Sequence, residues 1–180
     1  MGNRWLHKPG IWSTVMCNQT LQKGLHMEYG SIEREFHVEA SPEVVFEVIS
    51  SPEHIREWWN AETDIEPVAG ATGELVWGDD ATPRANVVPI VVVNADPPRL
   101  FSFRWCHSEG EIASQSNSLL VAFVLTASGS GTTVRLTESG FREIGWEAAV
   151  LEQHYNEHIE GWDTHLVHLR DYLEQPVAIG

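Results

Sequence analysis

Cysteine is scarce in this chain: there are only two, Cys17 and Cys106. They lie far apart, and neither has the spacing of a metal-binding pair. Small secreted domains that rely on disulfide bonds carry many cysteines close together, so the sequence excludes that class. We therefore expect two free thiols in a protein of the reducing cytoplasm.

Basic residues are also few. The chain has 11 Lys and Arg against 26 Asp and Glu, which gives a formal net charge of −15. Such a charge repels phosphate backbones and anionic membrane surfaces. The composition therefore predicts no nucleic-acid partner.

Long hydrophobic runs and catalytic fingerprints are missing as well. Nothing approaches the ~20 consecutive apolar residues of a membrane-spanning helix. The apolar stretch at 10–17 is short and interrupted by Ser13 and Thr14, which excludes a secretory signal. The sequence has no nucleophile elbow, phosphate-binding loop or dinucleotide fingerprint. We assign no catalytic residue, no cofactor and no integral membrane segment, and we favour a non-enzymatic protein.

The length of 180 residues suits one globular domain. Residues 1–26 are basic and aperiodic, and acidic residues begin only at Glu28. We expect 1–29 to be a disordered extension, either natural, vector-derived or upstream of a true start at Met27. The domain is predicted at 30–175, and a short tail at 176–180.

The first elements have clear local signals. Residues 31–38 alternate like a half-buried strand. Two Ser-Pro-Glu triplets follow, at 41–43 and 51–53. Each offers a capping hydroxyl, a proline at the first helical position and an acid near the positive helix end. They predict short helices at 42–50 and 52–59.

The middle of the chain is rich in strand signals. The strands follow one another in meander order, which favours an antiparallel sheet. Pro89 suggests an edge position or a bulge in its strand. The predicted strands are 64–68, 73–77, 87–93, 101–105, 119–125 and 132–138.

The segment 146–174 has the strongest helical period. With 3.6 residues per turn, its apolar side chains fall on one stripe and its charged ones on the other side. This pattern predicts a long helix packed on the sheet. The stripe contains Leu151, Tyr155, Ile159, Trp162, Leu166, Leu169 and Leu173.

Short motifs in this order are similar to those of a known family. They are Ala40–Phe46 after the first strand, Trp58-Trp59, Asp96–Leu100 before an aromatic strand, and Gly161-Trp162. On these motifs residues 31–175 resemble the START-related SRPBCC superfamily. Within it, they resemble the bacterial family similar to the activator of heat-shock-protein-90 ATPase, in its C-terminal-type domain. The resemblance implies an α+β helix-grip fold: a strand, two short helices, a six-stranded antiparallel meander and a long C-terminal helix. Gly70–Gly73 departs from the family's usual early hairpin.

The resemblance also implies a cavity between sheet and helix that holds an apolar small molecule. The inward phases of the predicted elements agree with a mostly apolar pocket wall. A fully packed core, with the eight Trp as simple filling, has the same pattern, and that alternative stays open. The expected cavity residues are Trp59, Trp77, Phe101, Phe103, Trp105, Phe123, Tyr155, His158, Trp162, His165 and Leu166.

Histidines on the terminal helix are candidate polar groups. His154 and His158 have the i,i+4 spacing of metal ligands, but the string between them differs from the zinc-protease motif. His165 lies about 10 Å further along the axis, so we predict no metal site. We expect His158 or His165 to hydrogen-bond a ligand in the cavity. Arg104 and Glu138 are interpreted as ordinary surface charges.

The leading hypothesis is a protein that binds a small hydrophobic, lipid-like or aromatic molecule, in stress response or metabolite handling. The resemblance leaves two alternatives. One is a chaperone-associated module that regulates heat-shock-protein-90 ATPase, and the other is a polyketide cyclase-like enzyme. The 26 N-terminal residues are too few to supply the extra domain of the eukaryotic activator.

Overall fold

Seven antiparallel strands form one sheet that packs against a long C-terminal helix. The computed structural model describes residues 29–108 and 110–175. The elements are β1 (Ser31–Val38), α1 (Pro42–Ser50), α2 (Pro52–Trp59), β2 (Glu62–Thr63), β3 (Thr72–Trp77), β4 (Asn86–Asp96), β5 (Leu100–Trp105), β6 (Leu119–Ser128), β7 (Gly131–Ser139) and α3 (Ala148–Leu173).

The strand order across the sheet is β1-β7-β6-β5-β4-β3-β2. Strands β2 to β7 therefore form a meander, and β1 pairs with the last of them at the far edge. The predicted α+β helix-grip order of strand, two helices, six-stranded meander and long helix is confirmed.

Both short helices begin at the predicted prolines. Ser41 caps α1, and its Oγ accepts the backbone N–H of Val44 at 3.5 Å. Ser51 is the N-cap of α2, but its side chain makes no capping hydrogen bond. Instead its backbone N–H closes α1 by donating to the carbonyl of Glu47 at 2.9 Å. One extended residue therefore ends the first helix and starts the second.

The strand predicted at 64–68 is wrong in position, because pairing with β3 covers only Glu62–Thr63. After Thr63 a side chain takes the place of backbone pairing with β3, because Asp64 Oδ1 accepts the backbone N–H of Glu74 at 3.1 Å. Gly73 permits this approach, since a Cβ there would lie 2.6 Å from the same oxygen.

Pro89 lies in β4, which is an interior strand. It pairs with Glu74 of β3, whereas the register with β5 begins only at Ile90. The proline thus has a strand neighbour on one side, which is how a residue without an N–H is tolerated in a sheet. The bulge in this strand occurs elsewhere, between Val92 and Asn94.

Helix α3 begins at Ala148, two residues later than predicted. Its apolar stripe faces the sheet, and the side chains of Trp162 and Leu169 are fully buried. Gly161 is buried too.

Polar contacts attach both ends of α3 to the rest of the domain. Tyr155 Oη donates to the carbonyl of Ser31 on β1 at 2.8 Å. At the C-terminal end, Tyr172 Oη lies 2.8 Å from Nδ1 of His54 on α2.

The predictions for Cys17, the N-terminal extension and the C-terminal tail concern residues 1–28 and 176–180, which lie outside the described residues. Within the described ranges, no helix is both long and apolar enough to cross a bilayer.

Candidate functional site

A buried carboxylate lies between the sheet and α3. It belongs to Glu138 of β7, whose exposed fraction is 0%. The interpretation of Glu138 as a surface charge is therefore wrong. Strand alternation explains its position, because Thr132, Val134 and Leu136 on the same face of β7 are buried with it. That alternation is visible in the sequence, and it is the signal by which Glu138 could have been found.

Three aromatic side chains satisfy this carboxylate. Trp105 Nε1 donates to Oε1 and Trp162 Nε1 donates to Oε2, each at 2.7 Å. Nδ1 of His158 lies 3.0 Å from both oxygens. Because an indole N–H only donates, both oxygens of Glu138 act as acceptors. A carboxylate can stay buried when its oxygens are hydrogen-bonded in this way.

The partners come from separate parts of the chain. Trp105 is the last residue of β5, whereas His158 and Trp162 lie one turn apart on the same face of α3. The network therefore joins the long helix to β5 and β7. It sets which face of α3 is turned toward the sheet.

Trp59, the last residue of α2, lies in the middle of an aromatic cluster and is 2% exposed. Its ring centroid is between 5.1 and 6.3 Å from those of six other rings, so it fills the space between sheet and α3 at this level. Five of them are predicted site residues and the sixth, Trp58, was missed. The rings around Trp59 are those of Trp58, Trp77, Phe103, Trp105, Trp162 and His165.

Other predicted residues extend this cluster. Phe101 packs on Phe103 with centroids 5.9 Å apart, and Phe123 packs on Trp162 at 6.1 Å. Leu166 is buried in the same core.

Tyr155 has different neighbours. Its half-buried ring packs on Phe141 at 5.0 Å. Phe141, another residue that the sequence reasoning missed, lies 5.5 Å from the ring of His158. Tyr155 therefore reaches the carboxylate network only through intermediate side chains.

His165 is buried beside Trp59. Burial, together with the nearby His168, lowers the pKa of His165 from 6.5 to about 4. The imidazole is therefore neutral at pH 7, and a neutral imidazole offers one donor and one acceptor.

Cys106 follows Trp105 directly and forms no disulfide within the described part of the chain. Burial, reinforced by the charge of Glu138, raises the pKa of the Cys106 thiol well above its ordinary value. Since the thiolate is the reactive form, this cysteine is a poor nucleophile at neutral pH.

The two histidines with metal-type spacing face different partners. His158 turns Nδ1 toward Glu138, whereas Nδ1 of His154 lies 3.6 Å from Glu157. The ring of His154 also packs on Trp146, with centroids 4.5 Å apart. Across residues 29–108 and 110–175, no group of three or more candidate ligand side chains is placed to hold a metal ion.

Comparison with protein families decides where this fold belongs. Residues 39–174 match the family described as activator of Hsp90 ATPase homolog 1-like protein. The chain belongs to this family. The matched range contains Glu138, its three partners and Trp59, and the resemblance inferred from the sequence is confirmed.

Several solved structures share the fold of this chain. Protein MLL2253 from Mesorhizobium loti is 20% identical, with a TM-score of 0.65 over 82% of this chain and 99% of its own. The Aha1 dimer from Colwellia psychrerythraea is 20% identical, with a TM-score of 0.62 over 82% and 98%. CalU16 from Micromonospora echinospora is 19% identical, with a TM-score of 0.56 over 79% and 75%. At such identities the likeness concerns the fold alone. A search of curated proteins finds no match.

Proposed function

We propose that this family member binds a small, mostly aromatic molecule between the sheet and α3. The observation that carries the proposal is the carboxylate of Glu138, buried and hydrogen-bonded inside an aromatic cluster. A buried ionic group is often no more stabilising than an apolar replacement of the same shape. We therefore interpret its presence in an aromatic interior as the mark of a small-molecule site.

The position of Trp59 supports a particular mode of binding. Its ring lies 5.6 Å from that of Trp105 and 5.4 Å from that of Trp162, so a planar ligand in its place would contact both indoles. In the proposed mode of binding, the side chain of Trp59, the last residue of α2, rotates away from this position. The ligand then takes the place of the indole.

One polar group of the ligand would face the histidines of α3. His165 is neutral at pH 7 and can donate or accept a hydrogen bond. His158 is held in a fixed orientation by Glu138. The proposed ligand is therefore an aromatic or lipid-like molecule with a single uncharged polar end.

Thermal denaturation with a panel of planar aromatic and lipid-like compounds tests this proposal. A compound at 100 times its Kd stabilises the folded state by about 2.7 kcal/mol, which raises the melting temperature clearly. Trp59→Phe removes part of the side chain that must move, so we expect a larger rise in melting temperature than for wild type. Trp146→Phe, in the segment before α3, should bind like wild type.

Two results would argue against the proposal. One is a panel in which no compound raises the melting temperature of wild type or of Trp59→Phe. The other is equal affinity for wild type and a His158→Gln/His165→Gln variant, which would exclude the polar contact.

Family membership supports a second candidate, a chaperone-linked role in stress response. For either function we propose that the protein acts in the cytoplasm, because the chain has only two cysteines. ATPase rates of heat-shock-protein-90 with and without the full chain test the chaperone role, and unchanged rates would exclude it.

A further inference from the structure

The first part of α3 is poorly covered by the rest of the domain. From Ala148 to Glu157 no residue is fully buried, whereas His158, Trp162 and Leu169 further along the helix are. Apolar side chains at the start of α3 and in the segment before it are therefore half-buried or exposed. They are Ile144, Trp146, Val150, Leu151 and Tyr155.

These side chains form one continuous surface. Leu151 and Tyr155 lie one turn apart on α3, and so do Val150 and His154. The ring of Trp146 packs on that of His154, with centroids 4.5 Å apart. Tyr29, just before β1, extends the surface by packing on Tyr155 at 5.3 Å. We call this surface the end patch, and it consists of Tyr29, Ile144, Trp146, Val150, Leu151 and Tyr155.

The chain enters the domain at the end patch. Tyr29 is the first described residue, and it lies beside α3. Partial burial and the neighbouring carboxylate of Glu152 raise the pKa of the Tyr29 hydroxyl. Residues 1–28, which lie outside the described residues, are therefore attached directly to the patch. A tethered segment has an effective concentration on the order of 1 mM, so even a weak contact is often formed.

The preceding segment has the composition that an apolar surface with acidic neighbours would attract. Residues 1–27 contain Arg4, Lys8 and Lys23 and no acid, and all 26 acidic residues of the chain follow them. Trp5 and Trp12 are flanked by aliphatic residues between 6 and 16. Indole rings bury a large apolar area for a small loss of side-chain freedom, so they suit a shallow patch.

The charge around the end patch is of the opposite sign. Residues 141–157 contain four Glu and one Arg. Among the described residues, neither Glu143, Glu147 nor Glu152 forms an ion pair. Glu147 is the N-cap of α3, but its side chain makes no capping hydrogen bond. These carboxylates are therefore available to basic side chains.

Charge also decides between two occupants of the patch. A second copy of the domain would bring the same carboxylates against it, and each copy carries a net charge of −15. Like charges at close range repel. The basic segment of the same chain meets the patch without this repulsion.

We propose that residues 1–28 bind back onto the end patch of their own chain. The indoles of Trp5 and Trp12 cover Trp146, Val150 and Leu151. The basic side chains of the segment lie beside the carboxylates that border the patch. This contact is separate from the interior beside Trp59 and does not depend on the function proposed there.

Paramagnetic broadening of amide resonances in the full chain tests the proposal. A nitroxide attached to Cys17 reports which amides the segment approaches, and the buried thiol of Cys106 takes up little label in the folded protein. The Cys17→Ser variant checks this selectivity. We expect strong broadening at 144–155 and none in β3, which lies at the other side of the sheet from β1. Raising the salt from 50 to 500 mM should reduce the broadening through screening.

Matched variants separate a specific contact from simple proximity to Tyr29. Trp5→Ser/Trp12→Ser should reduce the broadening at 144–151 by at least about half, since the tethered contact is then seldom formed. Asn3→Ser/Gln19→Ser changes the same segment without removing apolar area and should behave like wild type.

A second pair of variants tests the surface of α3. Val150→Ser removes part of the end patch and should also reduce the broadening. Val167→Ser removes a comparably exposed valine farther along the same helix and should have no effect.

Three outcomes would overturn the proposal. Broadening that is equal in wild type and Trp5→Ser/Trp12→Ser would show an extension that makes no specific contact. Equal effects of Val150→Ser and Val167→Ser would place the contact elsewhere. Broadening of isotope-labelled chains by separate nitroxide-labelled chains, as strong as within one chain, would show that the segment binds a second copy.

Discussion

Nδ1 of His158 on α3 lies 3.0 Å from both carboxylate oxygens of Glu138 on β7. The two residues are 20 positions apart in the chain. Their contact, with the indoles of Trp105 and Trp162, places a polar network inside the core. Several consequences can be measured.

Replacing the buried carboxylate should be strongly destabilising. In Glu138→Gln the new NH₂ group takes the place of one oxygen and faces an indole N–H, so donor meets donor. We expect a loss of about 3 kcal/mol in the free energy of unfolding, measured by urea denaturation. Glu33→Gln, an exposed change on β1, should keep near wild-type stability. A loss below about 1 kcal/mol for Glu138→Gln would contradict this account.

His165 should make the protein less stable in acid. Its pKa is 6.5 in the unfolded chain and about 4 in the folded one. Below pH 6.5 the unfolded chain therefore binds a proton that the folded chain does not, and stability falls until the pH passes 4. The shift in the pKa of His165 corresponds to a loss of about 3 kcal/mol in the free energy of unfolding between pH 6.5 and 4.

The free energy of unfolding of His165→Phe, measured from pH 7 to 4, isolates this effect. This variant should lose less stability than wild type across the window. The exposed change His168→Gln should keep most of the wild-type loss. Parallel curves for wild type and His165→Phe would show that His165 does not carry the effect.

The thiol of Cys106 should react slowly while the protein is folded, because burial and Glu138 raise its pKa. In a Cys17→Ser variant only Cys106 remains to react. We expect alkylation by iodoacetamide at pH 8 to be at least about tenfold slower in the folded protein than in urea. Equal rates in the two conditions would be inconsistent with a perturbed thiol.

The end of α2 should tolerate glycine better than alanine. Asn60 follows Trp59 with a φ of 55°, in the left-handed region. Asn60→Ala should lower the free energy of unfolding by about 1 kcal/mol, whereas Asn60→Gly should change it by a few tenths. Thermal denaturation of both variants measures these changes in stability. A larger loss for Asn60→Gly than for Asn60→Ala would contradict the left-handed conformation at the end of α2.

Most of the fold could be predicted because its signals are local. The Ser-Pro-Glu triplets begin α1 and α2, and the apolar stripe of 146–174 defines α3. Alternation identified most of the strands. Where a side chain took over the hydrogen bonding of the backbone, as Asp64 does after β2, the prediction failed.

The candidate site was predictable only in its apolar part. Inward phase along each element identified Trp77, Trp105 and Trp162, since burial of aromatic side chains follows from periodicity. Glu138 shares that phase, but a carboxylate is buried only if donors surround it, and its donors come from other elements.

The sequence by itself determined most of the elements, their order and the family. The signals for these features are hydrophobic periodicity, helix-capping residues and short motifs, and each of them lies within a few residues of sequence. Only the tertiary structure decided that Glu138 is buried and that Trp59 occupies the centre of the aromatic cluster. The physical reason is that the environment of a charge is set by groups brought together across the sheet, and no local pattern encodes those distances.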